Sequence, residues 1–193
     1  MRLVLASGSA SRARLLATAG VEFTVDPADI DEAALMPAGA GAETSALALA
    51  EAKALSVSAR HPGALVLGGD SILEFEGENI SKSPDAASAK RLLARLSGKT
   101  HRIISAAALA RDGAVTWRHV GEGALTMRGL SEAFLDAYLA AEVPAVLASV
   151  GCYHLEGCGS QLFDRVEGDF FSILGLPLLP VLAQLRNEGL LAS

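Results

Sequence analysis

From Leu5 to Arg12 the chain reads Leu-Ala-Ser-Gly-Ser-Ala-Ser-Arg, a run of small residues closing on a guanidinium. Between a strand and a helix, such a turn leaves backbone N–H groups and the hydroxyls of Ser7, Ser9 and Ser11 open to a ligand. The helix start adds partial positive charge, which suits phosphate. Arg12 would offer a planar fork of donors to phosphate oxygens. The competing interpretation is an ordinary N-cap serine with two solvated arginines, Arg12 and Arg14, and the turn by itself favours that one.

A second candidate is Asp70, which follows the apolar run Ala64 to Leu67 and two glycines. At the carboxyl end of a strand, a carboxylate faces the ligand crevice of an open sheet and can hold a divalent cation or take a proton from water. A turn aspartate bonding its own backbone would leave the same sequence trace. Glu32, Lys53 and Lys82 are scattered charges, each read singly as a solvated surface group. Ser97-Gly98-Lys99-Thr100-His101 looks like part of a phosphate loop, but it lacks the upstream glycine and precedes a strand, so that reading is rejected. Cys152, His154 and Cys158 fit no familiar zinc spacing and read as ordinary thiols around a histidine.

The elements that must position these groups alternate between two periods. Arg2–Ala6, Val21–Val25 and Ala64–Leu67 read as strands, and Gln161–Val166 as a last one. Asp26–Glu32 reads as an acidic loop, and residues 37–41 as a loop of small residues. A helix carrying Leu15 and Leu16 stops at Gly20. Glu43–Arg60 is the longest helix, with Leu47, Ala50, Ala54 and Val57 on one face. Ser71–Ile80 reads as a hairpin turning near Gly77. Arg102–Arg111 and Ala114–Arg128 flank Asp112-Gly113, a strong hairpin signal. Asp85–Leu96, Ser131–Leu139 and Pro177–Arg186 are helical. Helices among strands, with hairpins, predict an α/β protein with a mixed, partly antiparallel sheet and flanking helices.

Composition narrows the function. Of 193 residues, 51% are apolar and 20% charged, which excludes a disordered chain. Sixteen Lys and Arg against 22 Asp and Glu give a net charge of −6. That balance argues against binding a nucleic-acid polymer or an anionic membrane, so an anionic ligand must be held by a local basic cluster. Without a signal-peptide core or a bilayer-length apolar run, the expected compartment is the cytoplasm.

Taken in order, these segments resemble the Maf family of nucleotide pyrophosphatases, the septum-formation-inhibitor-like proteins. Leu5-Ala6-Ser7-Gly8-Ser9-Ala10-Ser11-Arg12 followed by Leu15-Leu16 is similar to the family signature. So are Asp29-Ile30-Asp31-Glu32, Ala50-Glu51-Ala52-Lys53-Ala54, Gly68-Gly69-Asp70-Ser71 and Leu96–His101. Gly151–Gly159, Val166–Asp169 and Leu174-Gly175-Leu176-Pro177 complete the series, which runs nearly end to end as one domain, 1–193.

The resemblance implies two lobes around a central cleft, as in inosine triphosphatase-like folds, a homodimer, and dependence on magnesium or manganese. It implies that a nucleoside triphosphate and water give the monophosphate and pyrophosphate. Asp70 then falls on the proton acceptor, Glu32 and Asp70 on metal binding, and Ser9, Arg12, Lys53 and Lys82 around the triphosphate, with Ser7 in the same turn. A house-cleaning role against non-canonical nucleotides comes with it. Two positions depart from the pattern: Ala10-Ser11 replaces proline-arginine, and Ser81-Lys82-Ser83 replaces glycine-lysine-proline. Expectations therefore run from a weaker or differently selective enzyme to a catalytically weak nucleotide-binding regulator of cell division. Glu156, with Ser11 and Ser71, falls on positions that sort bases. A carboxylate matches the two adjacent donors of guanine better than a pyrimidine edge, whereas Ser11 cannot stack on a methylated ring as tryptophan would.

Overall fold

The computed structural model describes residues 2–36 and 39–192, so the small-residue loop expected at 37–41 lies partly outside the described residues. The first strand, β1 (Leu3–Leu5), leads through the serine turn into α1 (Ala10–Thr18) and on to the short β2 (Thr24–Val25). Asp31 caps a single turn, α2 (Glu32–Leu35), so Glu32 opens a helix instead of closing a loop. The long α3 (Ala42–Ser58) follows, then β3 (Leu65–Phe75) and β4 (Glu78–Ile80). After α4 (Ala86–Leu96) come the long hairpin strands β5 (Thr100–Arg111) and β6 (Ala114–Met127). The chain ends with α5 (Glu132–Glu142), β7 (Phe163–Gly168), α6 (Phe170–Ile173) and α7 (Leu178–Asn187).

Among the described residues seven strands join one sheet in the order β2-β1-β3-β5-β6-β7, with β4 also paired to β3. The β2–β1 and β1–β3 pairs are parallel and the others antiparallel, as the mixed pattern predicts. The Asp112-Gly113 and Glu76-Gly77 pairs both take positive φ, the geometry that a tight two-residue hairpin turn requires.

One expectation is overturned. The strand beginning near Leu65 does not end at Leu67. It runs on through Gly68, Gly69 and Asp70 to Phe75, so Asp70 is neither at a strand end nor in a turn. The glycines serve packing. A Cβ on Gly68 would lie 2.1 Å from the Ala50 carbonyl oxygen and 2.7 Å from the Ala54 nitrogen. Helix α3 therefore lies directly on β3, using Ala50 and Ala54 as its contact surface. That approach also corrects the buried face of α3: Leu47 is only half-buried, while Ser45, Leu49 and Lys53 turn inward.

The sheet edge explains the cleft. On one side β3 pairs with β5 from Val66 to Glu74. The other side is divided, with β1 pairing Leu65–Leu67 and β4 pairing Leu73–Phe75. Among the described residues no strand pairs Gly68–Ile72 on that edge, and a cavity of about 820 Å³ opens there. Strand alternation places Leu65 and Leu67 in one core with α1 and α7, and Leu73 and Phe75 in another with α4 and α5. These cores are the two lobes. Gly69 and Ser71 interrupt the apolar face between them.

Candidate active site

Asp70 points to the α3 face of β3, and there it meets Lys53. The ammonium nitrogen lies 2.6 Å from Asp70 Oδ1 and 2.7 Å from Glu32 Oε1. Three charges that are unrelated when read singly, and that the resemblance puts at one site, therefore form one cluster. Lys53 and Asp70 are both 8% exposed. The surface interpretation of Lys53 fails because α3 sits so close to the sheet that an inward lysine has only the cleft to reach into.

Arg12 approaches β3 from the other face. It is buried, with its Nε 3.2 Å from where a Gly69 Cβ would stand. Its Nε donates to the Gly175 carbonyl at 2.8 Å, and its terminal nitrogens donate to Ser7 Oγ at 3.0 Å and Ser71 Oγ at 2.9 Å. Ser71 in turn shares a hydrogen bond of 2.7 Å with Ser105, which donates to the Ser172 carbonyl at 2.6 Å. This buried polar chain fixes the plane of the guanidinium and leaves one N–H on each terminal nitrogen for a ligand. Burial pulls the Arg12 pKa below its usual value, and the charges of Asp70 and Glu32 oppose that pull. An arginine remains protonated throughout.

The serine turn divides between its two interpretations. Ser9 is the N-cap, accepting from the Arg12 backbone N–H at 3.4 Å. Ser7 Oγ accepts from the Ser9 N–H at 3.2 Å as well as from Arg12, so these hydroxyls brace the arginine more than they stand open. Both nevertheless line the cleft, as do Ser11, Ser71 and the exposed Lys82. Arg14, expected only as a solvated charge, forms an ion pair with Glu156 of the cleft wall. Glu156, expected from the resemblance to sort the base, is thus already engaged by a cation.

Ser105, Ser172, Gly175, Tyr153 and His101 were not singled out from sequence as site residues. The Leu174-Gly175-Leu176-Pro177 segment was the available signal for Gly175, but its spacing cannot show that the carbonyl at the end of α6 turns toward Arg12. Cys152 and Cys158 are free thiols, the first buried and the second exposed, and among the described residues no cluster of three metal-ligating side chains occurs. Among them also, no helix is long and apolar enough to cross a membrane.

A mixed α/β sheet with a gapped edge, lined there by an Asp–Lys–Glu cluster and a buried arginine, defines an α/β protein with a charged cleft. The Maf-like protein profile matches residues 2–188, and the chain belongs to the Maf family. It is 50% identical over 192 residues to the 7-methyl-GTP pyrophosphatase of Mesorhizobium japonicum, covering 97% of this chain and 96% of that protein. It is 52% identical over 191 residues to a nucleoside triphosphate pyrophosphatase of Paramagnetospirillum magneticum, covering 96% and 98%. A 7-methyl-GTP pyrophosphatase of Brucella abortus is 48% identical over 192 residues, covering 97% and 96%.

Proposed function

We propose that the protein is a nucleoside triphosphate pyrophosphatase, with Asp70 as the base that activates water. The observation that carries this reading is the placement of Asp70 at the centre of the edge gap, bound to Lys53 on one face of β3, with Arg12 on the other. A triphosphate entering the gap would meet cationic groups from both faces. Lys53, Arg12 and Lys82 would then neutralise phosphate oxygens where charge develops in the transition state. Asp70 takes the proton as water attacks the α-phosphorus, and pyrophosphate departs with the electron pair of the α–β bridge. Ser7 and Ser9 hold Arg12 and its helix start in register.

Glu32 and Asp70 also suit a divalent cation. Lys53 uses one oxygen of each, and two carboxylates plus substrate phosphates are a normal ligand set for magnesium, with manganese an alternative of similar preference. When bound, such a cation would offset the charge of the triphosphate and polarise its phosphoryl oxygens. The same reading takes a cytoplasmic homodimer as its setting.

Incubating the protein with each nucleoside triphosphate and magnesium, then identifying products, tests the proposal. Monophosphate and pyrophosphate are expected. Orthophosphate would make it a phosphatase, and binding without turnover would make it the regulator.

A further inference from the structure

The irregular segment 149–157 supplies Val150, Tyr153, Leu155 and Glu156 to the cleft wall, yet among the described residues it pairs with no strand. Its shape is set by buried ties. Cys152 has φ of +57°, and its carbonyl accepts from Tyr138 Oη at 3.2 Å. The Tyr153 ring folds over Gly151, where a Cβ would come within 2.3 Å of it. Tyr153 Oη lies 2.7 Å from His101 Nε2, a hydrogen bond that either ring tautomer can make.

His101 is the unusual member. It lies on β5 and is 2% exposed, packed by Tyr153 and Phe163 at ring-centroid distances of 5.7 and 5.9 Å. Among the described residues its Nδ1 has no hydrogen-bond partner. An apolar side chain would fill this space without stranding a nitrogen. What the imidazole adds is the one nitrogen that meets Tyr153. Burial lowers its pKa to about 4, so the ring is neutral near pH 7 and the contact is a neutral hydrogen bond.

We propose that His101 is a positioning residue for base selection: by holding Tyr153 it fixes the cleft wall that carries Leu155 and Glu156. The proposal rests on the pyrophosphatase reading only in assigning segment 149–157 to the base side of the cleft. A purely structural His101 would affect stability without affecting the choice of base.

The test compares the parent with His101→Phe, His101→Gln, Tyr153→Phe and the Phe/Phe double variant. One readout is amide hydrogen exchange across 150–157, and the other is affinity for the α,β-methylene analogues of GTP and UTP, which needs no turnover. His101→Phe and Tyr153→Phe should both speed exchange there and lower the GTP-to-UTP affinity ratio by about threefold to tenfold. His101→Gln, whose amide can still bond the hydroxyl, should keep at least about half of the parent ratio. The double variant should be no worse than either single one, because neither partner is left stranded. If His101→Phe does not fold, Tyr153→Phe, which loses a single oxygen, carries the comparison. Unchanged exchange, an unchanged ratio in a merely less stable protein, or a parent that binds both analogues equally or neither would overturn the proposal. The pyrophosphatase reading fails separately, if the parent releases no pyrophosphate from any hydrolysable triphosphate.

Discussion

Asp70 shares its carboxylate with Lys53, so Asp70→Asn removes a base while leaving an amide oxygen that can still accept from the ammonium. The fold should hold for that reason. General-base assistance is worth about 10²–10⁴ in rate, so pyrophosphate release should drop at least about a hundredfold while nucleotide affinity changes far less. Near-normal turnover in the folded variant would remove Asp70 from its role. Glu156 needs a finer test because Arg14 already holds it. An exposed ion pair contributes at most about 1 kcal/mol, so Arg14→Ala should barely shift the melting temperature. It should release the carboxylate, though, and raise the GTP-to-UTP ratio of kcat/KM, whereas Glu156→Gln should lower it. If both variants move that ratio the same way, or neither does, Glu156 is not reading the base. Because Ser11 supplies no ring to stack on a methylated base, the preference expected is for guanine-type triphosphates without strong selection for the 7-methyl form.

At the level of elements, helix α3 and strand β3 make the site, and their contact depends on Gly68. A methyl group there would stand 2.1 Å from the Ala50 carbonyl oxygen, which as backbone cannot swing away. Gly68→Ala should therefore push α3 off the sheet, cost about 3 kcal/mol or more, and draw Lys53 away from Asp70. Chemical denaturation and the rate of pyrophosphate release would both register the change, and a variant of parental stability and rate would show the contact to be dispensable. The same contact marks where sequence stopped being informative. Amphipathic α4 was legible because Ala89, Leu92, Leu93 and Leu96 form an apolar stripe, and all four are buried. The hairpin at Asp112-Gly113 was legible from its turn residues. In contrast, alanines spread around α3, so the face read from Leu47, Ala50, Ala54 and Val57 was rotated from the one buried, which hid the inward turn of Lys53. Glycines read as a break in β3 because local propensity cannot reveal a helix lying across the strand. Asp70, Glu32, Lys53 and Arg12 were each nameable from sequence. Their mutual contacts, and the Ser71–Ser105–Gly175 support behind Arg12, depend on pairings up to 163 residues apart that no local pattern encodes.

Across the whole molecule, the candidate site lies between two apolar cores, and buried His101 should make one of them sensitive to acid. The core of that lobe includes Leu73, Phe75, Leu93, Leu96, Leu125 and Tyr153, and the histidine packs against Tyr153 and Phe163. Burial lowers the His101 pKa from 6.5 to about 4, so between those values the unfolded chain binds a proton that the folded protein refuses. Stability then rises with pH across that window, and acidification from above 6.5 should remove it progressively. The loss attributable to this one group by pH 4 is about 3 kcal/mol. Asp26 and Asp85 act lower on the scale. Hydrogen bonds from Arg60 and His61 hold the Asp26 pKa below its usual value, and bonds from Ser88 do the same for Asp85. Their stabilisation is present above the ordinary carboxylate range and is lost only as pH falls through their depressed values. Denaturant unfolding at a series of pH values should show two stages of acid destabilisation, the first centred between pH 6.5 and 4. His101→Gln should flatten the first stage and leave the second in place, since glutamine binds no proton in either state. A first stage of undiminished depth in that variant would locate the acid sensitivity elsewhere in the molecule.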